Sequence, residues 1–315
     1  MLGRKREIPV YMFTGFLESG KTEFIKETLA ADYFAVRGNT LLIICEEGEA
    51  EYEKAFLQKN RIITYTVEDE EQLTRELFEQ LEKEMKFERV AIEWNGMWNP
   101  LELPLPDNWP LYQQLTLIDA NTFFLYYSNM RSQFVNMLKN SEVVFVNRAD
   151  RTMDLLNMKR IIKAINTGAE LVFESKERQE IRQDFVEDLP YDLDAPVIEV
   201  DTKSYGIWFM DALDNPDRYM GKLVKFTAMI YRPFGMPKNN FIPGRKAMTC
   251  CEDDTVFLGF IAKSPEAVNW SNNQWVTVTA RIAIEHQKSY KGEGPVLYVE
   301  EMEKAEAVKE YVQFG

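Results

Sequence analysis

The segment Gly15-Phe16-Leu17-Glu18-Ser19-Gly20-Lys21-Thr22 constrains this chain more than any other. It is a complete G-x-x-x-x-G-K-[ST] phosphate-binding loop. Such a loop needs a strand before it and a helix behind it. An apolar run from Val10 to Phe13 supplies the first, and Phe24, Ile25, Thr28 and Leu29 share one face of a helical pattern that supplies the second. Successive backbone N–H groups and a helix N-terminus aim positive dipoles at a phosphate. Gly15, Glu18, Ser19, Gly20, Lys21 and Thr22 are therefore the candidate phosphate-binding residues. Lys21 would reach the β- and γ-phosphates, and Thr22 would place its hydroxyl on Mg²⁺.

The first half of the chain alternates strand-like and helix-like segments. Strands are expected at Val10–Phe13, Leu41–Ile44, Ile62–Thr66, Val90–Glu93, Leu115–Ile118, Val143–Val146 and Glu170–Phe173. The clearest helix is expected from Glu68 to Lys86, with Leu73, Leu77, Phe78, Leu81 and Met85 on one buried stripe. Alternation of this kind predicts an α/β fold of the P-loop NTPase class, a mainly parallel sheet with helices on both faces. After Phe173 the character changes. Glu174 to Asp194 is charged and short of apolar anchors, which reads as a linking helix or loop. Beyond it the pattern is β-rich, with strands expected at Leu223–Tyr231, Thr255–Ala262, Trp275–Ile284 and Pro295–Glu300. Pro233, Gly235, Pro237, Pro243 and Gly244 read as one long loop. The expected division is a P-loop GTPase domain over 1–175, a linker over 176–195, and a small all-β, OB-like partner domain over 196–315.

Three later segments suit the loop. Ile92-Glu93-Trp94-Asn95-Gly96 is a strand ending in an acid, with a glycine three positions on. Glu93 can help hold Mg²⁺ through water, and the N–H of Gly96 can approach a γ-phosphate. Val146-Asn147-Arg148-Ala149-Asp150 is a strand followed by N-[KR]-x-D. The Asp150 carboxylate can accept from both N1–H and the 2-amino group of guanine, a donor pair that adenine lacks, so the pattern selects GTP. Glu46-Glu47-Gly48-Glu49 follows the second strand and reads either as a metal-sensing loop or as a solvated acidic turn.

Together these segments resemble the CobW/HypB/UreG group of GTPases over about residues 8–175. Gly15–Thr22 is similar to that family's GFLGSGKT loop, and Cys45–Glu49 to its NEFGE segment. Glu93–Gly96 with Pro100 matches E-x-x-G-x-x-x-P, and Leu117–Ala120 resembles V-V-D-A. Asn147–Asp150 corresponds to NKxD, and Ala164–Ala169 to L-N-P-x-A. The resemblance implies a GTP hydrolase whose cycle serves metal or cofactor delivery to a client. The chain also departs from the family. Where the family has C-x-C-C after the third strand, this sequence has Thr64-Tyr65-Thr66-Val67-Glu68, so thiolate capture of Zn²⁺ there is impossible. Glu18 replaces a common glycine, Arg148 the usual lysine, and Trp94-Asn95 small hydroxyl residues. Arg245–Cys251, followed by Gly259 and the Trp275 strand, resembles a soluble domain partnered with a bacterial permease, which implies a transport-linked partner.

Composition bounds the rest. A net charge of −14 with no basic tract argues against nucleic acid. No apolar run is long enough to insert in a bilayer, and the opening Met1–Arg6 has no signal-peptide character, so a cytoplasmic protein is expected. With three cysteines and one histidine there is no disulfide framework and no Cys-His nucleophile arrangement. Cys250 and Cys251, beside Glu252, Asp253 and Asp254, are the candidates for soft-metal binding such as Zn²⁺; Glu46 and Glu49 would make an oxygen-rich site. The alternative for Cys250 and Cys251 is a strand end with one buried thiol. Cys45 is expected in the core, and the aromatics of the second half, Trp208, Phe209, Tyr219, Phe226, Tyr231 and Phe234, are expected to pack rather than stack on a ligand. The expected activity is GTP hydrolysis by Lys21, Thr22 and Glu93, slow without a protein client or membrane-transporter partner. Two alternatives stand beside it: a nucleotide-gated binding module with little hydrolysis, and a phosphotransferase, against which the guanine pattern argues.

Overall fold

The computed structural model describes residues 6–46, 48, 50–181, 189–248, 255–287, 290 and 292–312. By internal contacts the chain divides into two units, Met1–Met158 with Asn166–Gln183 and Lys159–Ile165 with Asp184–Gly315.

In the first unit seven strands form one sheet: β1 (Val10–Thr14), β2 (Thr40–Ile44), β3 (Ile62–Thr66), β4 (Arg89–Glu93), β5 (Leu111–Asp119), β6 (Val143–Asn147) and β7 (Glu170–Phe173). Their order is β3-β2-β4-β1-β5-β6-β7, and every pairing is parallel. The helices are α1 (Lys21–Ala30), α2 (Lys54–Lys59), α3 (Arg75–Glu84), α4 (Phe123–Asn129), α5 (Arg131–Lys139) and α6 (Leu155–Ile165), the last running across the division between the units. The pleat sorts the core. Val10, Met12, Leu41, Ile43, Val90 and Ile92 face one side, with Phe78 and Leu81 of α3. Their neighbours Phe13, Leu42 and Ala91 face the other, with Ile25 and Leu29 of α1. The strand order reverses at β1, which lies between β4 and β5. In such sheets the crevice at the carboxyl ends of the strands beside that reversal is where ligands bind.

The seven expected strands all form. β5 starts earlier than expected because its polar Gln113 and Gln114 pair with β1 although they break the apolar run. The helix expected over Glu68–Lys86 is shorter. Thr74 has an extended backbone, and its hydroxyl accepts from the Leu77 N–H at 3.2 Å, so the helix starts at Arg75. Before it, Glu70–Gln72 forms only a short 3₁₀ turn.

The second unit contains β8 (Ile198–Val200), α7 (Tyr205–Asp214), β9 (Leu223–Tyr231), β10 (Asn240–Met248), β11 (Thr255–Gly259), β12 (Ile261–Lys263), β13 (Trp275–Gln287) and β14 (Gly292–Lys304). Its sheet runs β11-β10-β12-β14-β13-β9-β8, and a further β10–β9 pairing closes β9, β10, β12, β14 and β13 into a barrel. The pairing β12–β14 is parallel, and the other pairings in the ring are antiparallel. This is the small OB-like barrel that the sequence predicts.

Three elements differ from expectation. Part of the long loop expected around Pro243 and Gly244 is strand β10. Gly244 pairs with β9 on one edge and β11 on the other, and a Cβ on it would lie 2.4 Å from the Leu258 carbonyl oxygen. Proline and glycine mark that close approach rather than a loop. The strand expected over Thr255–Ala262 is interrupted at Phe260, giving β11 and β12. Helix α7 has no counterpart in the sequence reading, because Ile207-Trp208-Phe209-Met210 is apolar without a stripe; Tyr205, Trp208, Phe209, Met210 and Ala212 are all buried. Trp208, Phe209, Tyr219 and Phe226 pack in the barrel core as expected, whereas Phe234 is fully exposed. Among the described residues no helix is long and apolar enough to cross a membrane.

Candidate nucleotide site

The phosphate loop leaves the carboxyl end of β1 and enters α1 at Lys21, with Gly20 as the helix N-cap at φ 91°. The Lys21 side chain is buried. Its ammonium donates to the carbonyl oxygens of Gly15 and Phe16, each at 2.9 Å, and to Glu46 Oε2 at 2.5 Å. An ammonium has three donors, and all three are used. The other Glu46 oxygen, Oε1, accepts from the Gly96 N–H at 3.3 Å. Gly96 lies against the loop itself, where a Cβ would sit 2.6 Å from the Gly15 carbonyl oxygen and 2.7 Å from Phe16 Cα. Only glycine brings that N–H so close. Glu18 occupies the left-handed region at φ 59°. A non-glycine residue there costs roughly 1–2 kcal/mol, which explains why glycine is common at this place in the resembling loops.

Beside Lys21 stands a pair of oxygen ligands. Thr22 Oγ1 donates to Glu93 Oε1 at 2.6 Å, and the Tyr52 hydroxyl donates to Glu93 Oε2 at 2.7 Å. Burial raises the Glu93 carboxyl above its usual range, while the two donors and the Lys21 charge pull the other way. A hydroxyl and a carboxylate are hard oxygen donors of the kind Mg²⁺ takes, so Thr22 and Glu93 fit that ion. Tyr52 was not foreseen. Nothing in the acidic stretch around it marks a tyrosine that reaches the end of β4.

The opposite end of the loop is tied to β6. Asn147 Nδ2 donates to the Ser19 carbonyl oxygen at 2.6 Å. Asn147 Oδ1 and Ser19 Oγ are buried without a partner among the described residues, so the loop region keeps polar capacity for a ligand. Arg148, at φ 52°, donates from Nη1 to the Glu18 carbonyl oxygen at 3.0 Å and to Asp119 Oδ2 at 2.6 Å. Asp150 is exposed, and its Oδ1 accepts from the Thr152 hydroxyl at 2.7 Å and the Thr152 N–H at 2.8 Å. Those bonds, the hydroxyl's first, hold its carboxyl below the usual range. Arg148 and Asp150 line a cavity of about 600 Å³ together with Asn121, Ser175 and Lys176. Ser175 and Lys176 follow β7 and were not foreseen; the rule that ligands gather at the carboxyl ends of strands was the signal that could have found them.

A second cavity, of about 590 Å³, lies on the other side of the phosphate loop, with Phe16, Cys45, Glu46, Thr66, Glu68 and Gly96 in its wall. Cys45 is buried in the core as expected. Burial, then the Glu93 and Glu46 charges, push its thiol up to about 12, so it is a thiol rather than a thiolate at neutral pH. Among the described residues no group of three or more His, Cys, Asp or Glu side chains is placed to hold a metal ion. Of the transition-metal candidates only Glu46 is described, and it is paired with Lys21. Glu49, Cys250 and Cys251, with Glu252, Asp253 and Asp254, lie outside the described residues.

Fold and loop together define a P-loop nucleotide-binding unit followed by a β-barrel unit. The family model for the CobW/HypB/UreG nucleotide-binding domain matches residues 9–173, and the model for the DUF1980 C-terminal domain matches residues 175–313. The first match spans more than half of the chain, which therefore belongs to the CobW/HypB/UreG family of P-loop GTPases. Among solved structures the chain is similar to the Zn(II)-bound YjiA GTPase from E. coli, at 18% identity and a TM-score of 0.42, over 81% of this chain and 89% of that one. It is also similar to the hydrogenase maturation factor HypB from Archaeoglobus fulgidus, at 14% identity and a TM-score of 0.40, over 55% of this chain and 84% of that one. No curated protein matches the chain.

Proposed function

We propose that this protein binds GTP along the phosphate loop and hydrolyses it, slowly unless a partner engages. The observation that carries the reading is the bond from Asn147 to the Ser19 carbonyl. It fastens the segment proposed to read guanine to the loop proposed to hold phosphates, so one ligand spans both. Asp150 accepts from the two guanine donors, and Arg148 lays its guanidinium and stem beside the base. Loop amides and the α1 N-terminus hold the phosphates, and Lys21 offsets charge that builds between β and γ as water attacks in line. Thr22 and Glu93 would hold Mg²⁺, which when bound supplies positive charge across the β- and γ-phosphates. Calorimetric titration is expected to give at least roughly tenfold tighter binding of GTP than of ATP. Equal affinities would overturn the guanine assignment.

The family supports a role for this turnover in metal or cofactor handling, and the barrel unit, over about residues 196–315, is the candidate for recognising a client or a transport-linked partner. The described residues do not form a zinc site, so Zn²⁺ binding would fall to Cys250 and Cys251. Zinc titration of the full chain against a Cys250→Ser, Cys251→Ser double variant tests this: loss in the variant supports it, and equal, weak binding by both removes it. One observation favours a second reading, a nucleotide-gated module with little hydrolysis: Lys21 is already engaged by Glu46. Single-turnover measurements with GTP separate the two, since the gated module binds GTP without releasing phosphate.

A further inference from the structure

We infer that Glu46 is an internal stand-in for the γ-phosphate, and that its displacement is how this site tells a nucleoside triphosphate from a diphosphate. The inference rests on the nucleotide reading above and concerns the regulation of that same site.

Lys21 and the Gly96 N–H are the two donors that the loop and the β4 turn offer to a γ-phosphate. The Glu46 carboxylate bridges both, with Oε2 on Lys21 Nζ at 2.5 Å and Oε1 on the Gly96 N–H at 3.3 Å. This is not a surface ion pair held by chance. The two side chains are only 3% and 11% exposed, and a buried ion pair of this kind leaves a costly unpaired charge if one partner goes without replacement. A γ-phosphate is such a replacement, with more charge and more acceptor oxygens than a carboxylate. Glu46 and a γ-phosphate cannot share the site, because two anions at one ammonium repel. A diphosphate competes with Glu46 only at Lys21, through its β-phosphate, and leaves the Gly96 N–H to Glu46, so Glu46 keeps one of its two anchors. A triphosphate must expel it, and its apparent affinity falls by the fraction of molecules in which Glu46 is docked. The expelled carboxylate belongs to the wall of the 590 Å³ cavity beside Cys45 and Glu68. Arrival of the γ-phosphate is thereby felt outside the phosphate loop.

The test is calorimetric binding of GDP and of a non-hydrolysable GTP analogue, with Mg²⁺, to the full-length parent, Glu46→Ala and Glu46→Gln. In Glu46→Ala the analogue is expected to bind about tenfold or more tightly than in the parent, with GDP affinity changed less than about threefold. Glu46→Gln keeps the size and removes the charge, so it should move in the same direction by less; it also decides the matter should the alanine variant not fold. An unchanged ratio of analogue to GDP affinity in a folded variant, or a fall in analogue affinity alone, overturns the inference while leaving the site in place. Failure of the folded parent and of both folded variants to bind either nucleotide removes the site reading, and this inference with it.

Discussion

The two ends of the candidate nucleotide site are built on opposite principles. At the phosphate end Lys21, Glu93 and Ser19 are buried, and both charged groups there already have internal partners: Glu46 for Lys21, Thr22 and Tyr52 for Glu93. At the base end Arg148 and Asp150 are exposed and oriented by hydrogen bonds, Asp150 by Thr152 two residues on and Arg148 by the distant Asp119 and Glu18. A buried end can bind only by exchanging partners, which makes it switchable. An exposed, pre-oriented end loses little on binding, which makes its selectivity constant. The largest test of this contrast is Lys21→Ala. It removes the cation and leaves the buried Glu46 carboxylate without its ion-pair partner. GTP turnover is expected to fall by at least about a hundredfold, measured as phosphate release. Turnover at the parental rate would mean that the buried end is not the catalytic one.

The base end should respond differently. Asp150→Asn exchanges two acceptor oxygens for one acceptor and one donor, so GTP should bind roughly tenfold to a hundredfold more weakly, the cost of a lost charged hydrogen bond. Xanthosine triphosphate should gain over GTP. The Mg²⁺ dependence of binding should be unchanged, because among the described residues Asp150 bonds to Thr152 whereas Thr22 bonds to Glu93. If affinity for GTP and for xanthosine triphosphate falls equally, Asp150 supports the fold of the loop and does not read the base.

Most of the first unit was legible because its central strands β1, β2 and β4 are short apolar runs bounded by turns and buried nearly throughout, and because the loop motif anchors the first of them. The motif residues also come out near one another, Thr22 on Glu93 and Asn147 on Ser19. What sequence could not supply were meetings decided by topology. Tyr52 reaches Glu93 across 41 residues, and Glu46 reaches Lys21 across 25; neither separation has a local pattern. Glu46 read equally well as an acidic turn. In the second unit, β10 was hidden by the Pro243-Gly244 pair, whose glycine lies close against the β11 backbone, and α7 by being apolar on nearly every side. Periodicity fails where an element has no solvent face.

A smaller effect is expected at Glu18, which joins the two ends, since Arg148 bonds its carbonyl oxygen. Glu18→Gly relieves a left-handed backbone worth roughly 1–2 kcal/mol but loosens the unfolded chain by about 0.5–1 kcal/mol. The net gain is at most about 1.5 kcal/mol, seen as a rise of at most roughly 3–6 °C in unfolding temperature for a unit of this size. Loss of a negative charge beside the phosphates should also tighten GTP a few-fold. An unchanged unfolding temperature would show that the loop absorbs the strain elsewhere.

The smallest expected effect is the pH dependence of Glu93, and it probes what burial does at the phosphate end. Its carboxyl is raised above the ordinary 4.5, chiefly by burial. Between the unfolded value and the raised folded value, the native protein holds a proton that the unfolded chain has released. The Glu93 contribution to stability is therefore most favourable below that window and is lost as pH rises through it. Glu93→Gln imitates the protonated form at every pH, and its amide can donate to the Tyr52 hydroxyl in place of the bond it loses. The unfolding temperature of the variant minus that of the parent, without nucleotide or Mg²⁺, should accordingly increase as pH rises from the ordinary carboxylate value toward neutrality, levelling off above the raised folded value. Asp150→Asn, at the exposed end, has a carboxyl shifted the other way by Thr152, so its difference from the parent should not increase over the same range. A flat difference for Glu93→Gln would mean that water reaches the carboxylate and that the two ends are less unlike than their burial suggests.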